Sequence, residues 1–230
     1  MGAALISGLL PEAVRWAESA TAPSRRIPEP PPHPAEALLF PEELEHAARF
    51  APVRRAEFAA VRACARAALG ELGFAPGPIL PGPRREPIWP EGVRGSMTHC
   101  EGYCAAAVAL CADLLSLGID AEVNRSLPGD VLGYVTRPAE RTMLADLARR
   151  APIGVSWDTL LFSAKESVYK TWFPLTRSWL GFEEAEVVLD PGGTFTARLL
   201  VPAGPLPELL RGRWAAADGL VATAVAVPNR

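Results

Sequence analysis

Apolar residues recur at helical spacing in two long segments of the chain. Between residues 52 and 73, one face of a helix turning about 100° per residue is apolar, and Pro52 suits its first turn. Between residues 158 and 172, Leu161, Val168 and Trp172 keep the same spacing, with Asp158 at the N-cap position. We predict helices over both segments, and shorter helices beginning at Pro41 and covering 137–150. The apolar face of the first long helix consists of Phe58, Val61, Ala65, Leu69 and Leu72.

Short apolar runs and alternating patterns predict strands elsewhere. Residues 102–110 and 118–122 suit strands, although a helix is an open alternative for 105–116. The last third of the chain alternates between apolar and polar residues, and Asp190-Pro-Gly-Gly and Asp218-Gly suit hairpin turns. The pattern therefore predicts an antiparallel sheet made of Ala185–Asp190, Phe195–Val201, Arg213–Ala217 and Leu220–Val227.

Two proline-rich stretches separate these segments. Residues 23–34 (PSRRIPEPPPHP) and 76–90 are predicted to be extended surface connections. The remaining segments fall into two groups, each with a long helix and several strands. The sequence thus predicts an α+β protein made of an N-terminal half, residues 1–117, and a C-terminal half, residues 118–230.

Composition and charge narrow the possible functions. The chain has 230 residues, of which 49 % are hydrophobic and 21 % charged, as is typical of a globular protein. A net charge of −3 argues against bulk attraction to nucleic acid or to an anionic membrane. No apolar run is long enough to span a bilayer, and the N-terminus lacks the features of a signal peptide, so we expect a cytoplasmic protein.

The four cysteines are expected to be reduced thiols. They occupy positions 64, 100, 104 and 111, without a C-x-x-C pair. Zinc binding by His99, Cys100 and Cys104 is an alternative, but a fourth ligand is not evident in the sequence.

Three carboxylates form the main candidate site. If residues 118–122 form a strand, Asp120 and Glu122 project from the same face, where two like charges favour a cation between them. A solvated strand end is the alternative explanation. Glu166 lies on the second long helix among many apolar residues, where a charge needs a partner or a function. Three carboxylates suit Mg²⁺ or Mn²⁺.

Basic and hydroxyl residues accompany these acids. Lys165 and Lys170 flank Glu166 and indicate a phosphate-bearing ligand, although Glu166 and Lys170 also form an ordinary i,i+4 pair. A glycine-flanked segment containing Ser96, Thr98 and His99 suggests a loop that approaches a ligand closely. The helix at 52–73 adds four arginines that either bind phosphate or lie at the surface: Arg54, Arg55, Arg62 and Arg66.

Taken together, these motifs resemble a known family. It is that of the 4′-phosphopantetheinyl transferases of the surfactin-synthetase and enterobactin type, in particular their actinobacterial branch. The resemblance runs from about residue 40 to the C-terminus. Its motifs are R-R-x-E-F-x-x-V-R-x-C-A-R (54–66), W-P-x-G-x-x-G-S-M-T-H-C-x-G-Y (89–103), G-I-D-A-E (118–122) and L-L-F-S-A-K-E-S-V-Y-K-x-W-F-P-L (160–175).

The resemblance implies a specific fold and reaction. Two similar α/β halves, related by a pseudo-two-fold axis, each pack a small, mostly antiparallel sheet on a long helix, and the active site lies at their interface. Coenzyme A binds there with Mg²⁺ on its pyrophosphate. A serine hydroxyl of an apo acyl or peptidyl carrier protein attacks, the 4′-phosphopantetheine arm is transferred, and 3′,5′-ADP leaves. A chain of this size is expected to complete its site as a monomer.

The resemblance also implies roles for individual residues. Asp120, Glu122 and Glu166 are implied metal ligands, and Glu166 is the implied base for the serine proton. Lys165 and Lys170 are implied to hold the pyrophosphate during bond cleavage. The remaining contacts to coenzyme A are implied for Arg54, Arg62, Arg84, Ser96, Thr98 and His99.

The sequence departs from the family pattern at two places. Pro81 replaces a lysine that often meets the phosphates, so either Arg84 or Arg85 substitutes for it or coenzyme A binds more weakly. The acid motif continues Val123-Asn-Arg125, whereas a proline commonly follows the second acid, and this difference affects the neighbouring loop but not the ligands.

The same residues are compatible with two other functions, and one region of the chain is a candidate docking surface. A metal-dependent nucleotide pyrophosphatase would use the same acids with water as the acceptor. A non-catalytic protein that binds coenzyme A or a carrier would not need the full set of acids and lysines. Residues 123–157, which include Arg137 and Arg141, either dock an acidic carrier protein or pack within the domain.

Overall fold

The structure, a computed structural model, describes residues 5–20, 34–150 and 154–229. The connection predicted at 23–34 lies outside these residues except for Pro34. In chain order, the helices and strands of the first half are β1 (Arg15–Ala20), α1 (Pro41–Ala47), α2 (Pro52–Glu71), β2 (Val93–Cys100) and β3 (Tyr103–Leu110). Those of the second half are β4 (Leu114–Val123), α3 (Gly129–Val135), α4 (Pro138–Arg150), α5 (Trp157–Thr176), β5 (Ala185–Asp190), β6 (Thr194–Leu199), β7 (Leu209–Ala217) and β8 (Leu220–Pro228).

The strands form two antiparallel sheets. One has the order β1-β3-β2 and the other has the order β4-β8-β7-β6-β5. The predicted strands of the last third are confirmed, and β3 shows that the helical alternative for 105–116 is wrong. The α+β fold class is therefore confirmed. Helix α4 covers the segment predicted at 137–150.

Three elements were not predicted. Strand β2 occupies the segment expected to be a ligand-binding loop, and β1 and α3 had no predicted counterpart. Strand β2 escapes a search for apolar alternation because two of its buried positions are the hydroxyl residues Ser96 and Thr98.

Each long helix covers one sheet. The apolar face predicted for α2 is confirmed, because Val61, Ala65 and Leu69 pack against buried residues of β2 and β3. Helix α5 buries Leu160, Leu161, Ala164 and Val168 against the five-stranded sheet. No helix within the described ranges is long and apolar enough to cross a membrane.

The two sheets meet where the edge strands β2 and β4 lie side by side. The amide of Ile119 donates a hydrogen bond to Ser96 Oγ (3.0 Å), and the amide of Ala121 donates one to Thr98 Oγ1 (3.0 Å). These hydroxyls satisfy amides that a sheet edge otherwise leaves without strand partners. The predicted boundary between residues 117 and 118 falls within β4.

Helix α5 packs closely against β4 at Gly118. A Cβ atom at this position would overlap the carbonyl oxygen of Ser167 and the hydroxyl of Thr171, and would lie 2.8 Å from the amide nitrogen of Thr171. Ser116 Oγ also donates to the carbonyl oxygen of Thr171 at 2.6 Å. Because residues two apart in a strand share a face, Asp120 and Glu122 lie on the face that meets α5.

We predict that Gly118→Ala destabilises the protein by roughly 1–3 kcal/mol, because the added methyl group meets backbone atoms of α5 that cannot move independently. Urea unfolding followed by circular dichroism measures this change. Gly70→Ala is the matched control, since a Cβ there meets nothing within 4 Å and alanine favours the helix. Equal stability of Gly118→Ala and the wild type would contradict the close packing.

Candidate functional site

Asp120 is the centre of a cluster of charges at the junction of the sheets. It is 3 % exposed, and its Oδ1 accepts hydrogen bonds from Lys170 Nζ at 2.7 Å and from Thr98 Oγ1 at 3.3 Å. Its Oδ2 is buried without a hydrogen-bond partner among the described residues. Such a carboxylate oxygen is costly to bury unless it has a hydrogen-bond donor or a cation as its partner.

Glu122 and Glu166 share the electrostatic environment of Asp120. Burial raises the pKa of Glu122 to about 7, with a further contribution from Asp120 and a smaller one from Glu166. Burial also raises the pKa of Glu166, where Lys170 opposes the shift and Asp120 adds to it. For Lys170, burial alone lowers the pKa, but Asp120, Glu166 and Glu122 together raise it. The structure thus brings these four predicted residues within electrostatic range of one another.

The residues present fit a divalent cation such as Mg²⁺. The donors are carboxylate oxygens, which this hard cation prefers, and Asp120 Oδ2 has no other partner in the described part of the chain. Within that part, no group of three or more His, Cys, Asp or Glu side chains forms a metal site by itself. Mg²⁺ usually completes its coordination with water and substrate phosphates, so these carboxylates need not enclose the ion on their own.

The zinc alternative has no support in the described residues. All four cysteines are free thiols. Cys104 is buried in the core with its Sγ 3.8 Å from Cys64 Sγ, and burial raises the pKa of Cys100 to about 12, which disfavours the thiolate that zinc binds.

The N-terminal half contributes basic groups next to the acids. His99 Nε2 contacts Arg54 Nη1, and Glu57 Oε2 lies 3.2 Å from Arg54 Nη1 and 3.5 Å from His99 Nε2. Burial lowers the pKa of His99, and the charge of Arg54 lowers it further. The charge of Lys170 also lowers this pKa, whereas that of Asp120 raises it. Arg54 and His99 therefore lie together beside the acid cluster.

Lys165 does not join this cluster, which corrects its predicted role in contacting the pyrophosphate. It is 3 % exposed. Its ammonium donates to Glu140 Oε2 at 2.8 Å and to the carbonyl oxygens of Val135 and Phe182 at 2.9 and 2.7 Å. An ammonium has three N–H donors, so none remains for a ligand.

Arg62 is also placed differently from the prediction. It is 6 % exposed, donates to the carbonyl oxygen of Ile79 at 2.8 Å, and lies over the ring of Phe58. Glu43 is its partner at 3.6 Å and also binds Arg66 at 2.9 Å. Because its guanidinium is enclosed in this way, Arg62 stabilises the packing of α2 rather than facing a phosphate.

The hydroxyls of Ser96 and Thr98 are used within the protein. Both are buried and accept hydrogen bonds from β4 amides, so the structure does not support the prediction that they contact coenzyme A directly.

Arg84, in contrast, is exposed. Burial raises the pKa of Tyr169 on α5, and the positive charge of Arg84 partly opposes this shift. Glu86 holds this loop by accepting from Arg84 N at 2.9 Å and from Arg177 Nη1 at 3.0 Å.

Four carboxylates that fix basic residues around the site were not predicted: Glu43, Glu57, Glu86 and Glu140. Glu57 alone of these shows a local pattern, because it stands three residues after Arg54 on the same helix. The other three pair across long sequence separations that no local pattern records.

Two clefts lie beside the acids. The first is lined by Glu166 and by aromatic and apolar residues that include Tyr169, Trp179 and Phe182. The second is more polar and is lined by residues that include His99 and Glu122. Glu122 and Glu166 thus each line a cleft in which a ligand can reach a carboxylate.

Fold and site together define an α+β protein with an acidic, cation-compatible centre flanked by basic side chains. Two family models match the chain. One, described as the 4′-phosphopantetheinyl transferase N-terminal domain, matches residues 41–109, and the other, described as the 4′-phosphopantetheinyl transferase superfamily, matches residues 116–223.

Similar proteins give the same result. The chain is 61 % identical over 196 residues to the 4′-phosphopantetheinyl transferase Svp of Streptomyces mobaraensis, covering 83 % of this chain and 79 % of the relative. It is 47 % identical to PptT of Mycobacterium tuberculosis over 195 residues, which cover 81 % of this chain and 85 % of the relative. It is also 47 % identical to Npt of Nocardia iowensis over 212 residues, covering 84 % and 94 %. Both of these relatives are also named 4′-phosphopantetheinyl transferases.

The chain therefore belongs to the 4′-phosphopantetheinyl transferase superfamily. The resemblance to its actinobacterial branch, stated from the motifs, is confirmed by these relatives.

We predict that Lys165→Met destabilises the protein by about 3–5 kcal/mol, because it leaves the buried Glu140 without its counter-ion. Denaturant unfolding measures the loss. Arg149→Met is the matched control and is expected to change stability by less than about 0.5 kcal/mol, since Arg149 pairs with Asp146 at the surface. Wild-type stability of Lys165→Met would show that Lys165 is free to meet a ligand.

Proposed function

We propose that this protein transfers the 4′-phosphopantetheine arm of coenzyme A to a serine of an apo acyl or peptidyl carrier protein, releasing 3′,5′-ADP. The observation that carries this proposal is the cluster of Asp120, Glu122, Glu166 and Lys170 at the junction of the two sheets, in a chain of this superfamily. The names of the relatives support the same activity.

The acids of the cluster are proposed to hold the metal ion. Asp120, Glu122 and Glu166 would bind Mg²⁺, with Mn²⁺ as a substitute, and Asp120 Oδ2 is the oxygen left without a protein partner among the described residues. A bound divalent cation would neutralise the charge of the pyrophosphate.

The basic residues are proposed to hold the phosphates. Lys170 lies beside the acids and is 27 % exposed at its side chain, so its ammonium can turn from Asp120 to a pyrophosphate oxygen. Arg54 and His99 would meet the 3′-phosphate and its neighbours, and the exposed Arg84 would replace the lysine that often stands at position 81. Lys165 and Arg62 would act indirectly, by fixing α5 and α2.

Glu166 is the proposed base. It lines the cleft beside Tyr169 and Trp179 and is partly exposed, so its carboxylate can accept the proton of the carrier serine directly or through one water. The apolar lining of this cleft suits the uncharged pantetheine arm, whose methyl groups and amides carry no charge.

We also propose a monomer located in the cytoplasm. Both sheets that form the junction come from one chain, so a single copy contains every residue of the proposed site. The four free thiols agree with a reducing compartment.

We predict that the purified protein, incubated with coenzyme A and Mg²⁺, adds one phosphopantetheine to the serine of an apo carrier protein, as measured by intact-protein mass spectrometry. A panel of fatty-acid, polyketide and nonribosomal-peptide carriers identifies the acceptor class. Glu166→Gln is expected to lower the rate by at least about a hundredfold, because it removes the base while preserving the shape of the side chain.

Two outcomes of this experiment would reject the proposal. Cleavage of coenzyme A without a carrier protein would favour a pyrophosphatase that uses water as its acceptor. Binding of coenzyme A without any transfer to the panel, and with no difference between wild type and Glu166→Gln, would favour a binding protein without catalytic activity.

The surface formed by α3 and α4 is the proposed docking site for the carrier protein. Tyr134 is 70 % exposed and Arg141 is also exposed. Arg137 is less available, because its guanidinium donates to the carbonyl oxygen of Glu183. An acidic helix of the carrier would therefore meet Arg141 rather than Arg137.

We predict that Arg141→Glu raises the KM for the carrier protein by about fivefold or more, through repulsion of its acidic helix, and leaves the KM for coenzyme A unchanged. Steady-state kinetics with each substrate varied in turn measure both constants. Arg211→Glu is the matched control, because it makes the same charge change at an exposed position on β7. An unchanged carrier KM for Arg141→Glu would show that docking occurs elsewhere.

A further inference from the structure

The hydroxyl of Thr98 connects the two sheets and the acid cluster at the same time. Its Oγ1 accepts a hydrogen bond from the amide of Ala121 at 3.0 Å and lies 3.3 Å from Asp120 Oδ1. Thr98 is 2 % exposed, so water cannot readily replace either partner. The side chain belongs to β2 of the N-terminal half, whereas both of its partners belong to β4.

The chemistry of a hydroxyl fixes the direction of these bonds. A threonine hydroxyl has one proton to donate and two lone pairs that accept. The amide of Ala121 can only donate, so it occupies a lone pair, and the single proton of Thr98 is free to point at the Asp120 carboxylate. The backbone of β4 thereby orients the hydroxyl that contacts the acid of the same strand.

This contact determines which oxygen of Asp120 remains available. Oδ1 receives both Thr98 Oγ1 and Lys170 Nζ, while Oδ2 has no hydrogen-bond partner within the described ranges. Two donors on one oxygen hold the carboxylate in one orientation and leave the other oxygen unused. Since Lys170 is also proposed to turn to the pyrophosphate, Thr98 is the partner of Asp120 that stays in place throughout the reaction.

We infer that Thr98 is a positioning residue: its hydroxyl holds the Asp120 carboxylate so that Oδ2 is presented to a divalent cation. This inference rests on the proposed function, because it assigns Asp120 to the metal. A hydrogen bond from a neighbouring residue to a metal ligand typically changes metal affinity by tenfold or more when it is removed.

Ser96 provides a control within the same junction. It is buried, and its hydroxyl accepts from the amide of Ile119 at 3.0 Å, two residues before Ala121. Among the described residues, however, the Ser96 hydroxyl contacts no carboxylate. Removal of either hydroxyl therefore weakens the contact between β2 and β4, but only removal of the Thr98 hydroxyl releases Asp120.

The test compares Thr98→Val, Thr98→Ser and Ser96→Ala with the wild type. Mn²⁺ alone is titrated into each protein, without coenzyme A, and free Mn²⁺ is measured by electron paramagnetic resonance. We expect Thr98→Val to bind Mn²⁺ about tenfold more weakly, Thr98→Ser to bind within about twofold of the wild type, and Ser96→Ala to bind as the wild type does. Thermal unfolding is expected to show lower melting temperatures for both Thr98→Val and Ser96→Ala.

Kinetics give a second readout that a structural effect alone does not predict. The Mg²⁺ concentration that gives half of the maximal transfer rate is expected to be about tenfold higher for Thr98→Val than for the wild type. For Thr98→Ser it is expected to equal that of the wild type. If valine prevents folding, Thr98→Ala replaces it, because alanine also lacks the hydroxyl and needs no extra space.

Three results would overturn the inference. Wild-type Mn²⁺ affinity in a folded Thr98→Val or Thr98→Ala protein removes the positioning role while leaving the proposed function intact. An equal loss in Ser96→Ala assigns the effect to general packing of the two strands. Failure of the wild type to bind Mn²⁺ rejects this inference, whereas the proposed transfer of phosphopantetheine is judged separately by the mass assay.

Discussion

The close approach of helix α5 to strand β4 at Gly118 is the constraint on which the site depends. Only a residue without a side chain allows the backbone of Ser167 and Thr171 to lie against the strand. Because Gly118, Asp120 and Glu122 share one strand face, the helix that packs on the glycine also covers the acids. The same contact brings Glu166 and Lys170, each one residue before a contacting residue of α5, into the electrostatic range of the acids.

Two lysines of α5 illustrate how burial separates structural from functional charges. Lys165 has all three donors satisfied by Glu140 and two carbonyl oxygens, so it stabilises the attachment of α5 to α3 and α4. Lys170 faces three carboxylates whose negative charge it cannot neutralise alone. A satisfied network rigidifies a fold, whereas an unsatisfied one, with an orphaned oxygen on Asp120, is retained where a ligand completes it.

The N-terminal half supplies the hydroxyl and basic side chains that surround the acids. Its edge strand β2 provides the hydroxyls that join the sheets and orient Asp120, and its penultimate residue, His99, lies beside Arg54 of α2. Most arginines of the motif on α2 serve the fold, since Arg62 and Arg66 share Glu43 and Arg55 pairs with Glu36. The site is therefore a product of both halves, and a ligand that spans the junction contacts groups from each.

The sequence by itself determined the long helices, the strands of the last third, the family and the short list of acids, because these depend on local periodicity and on motifs with fixed spacing. It did not reveal β2, whose buried face consists partly of hydroxyl residues. It also did not reveal the carboxylate partners that hold Lys165 and Arg62 within the fold rather than at the proposed ligand site. Those outcomes depend on carboxylates such as Glu140 and Glu43, which lie 25 and 19 residues or more away in the chain. Only the tertiary structure decides which charge meets which, because a buried ion pair depends on distance in space and not on separation in sequence.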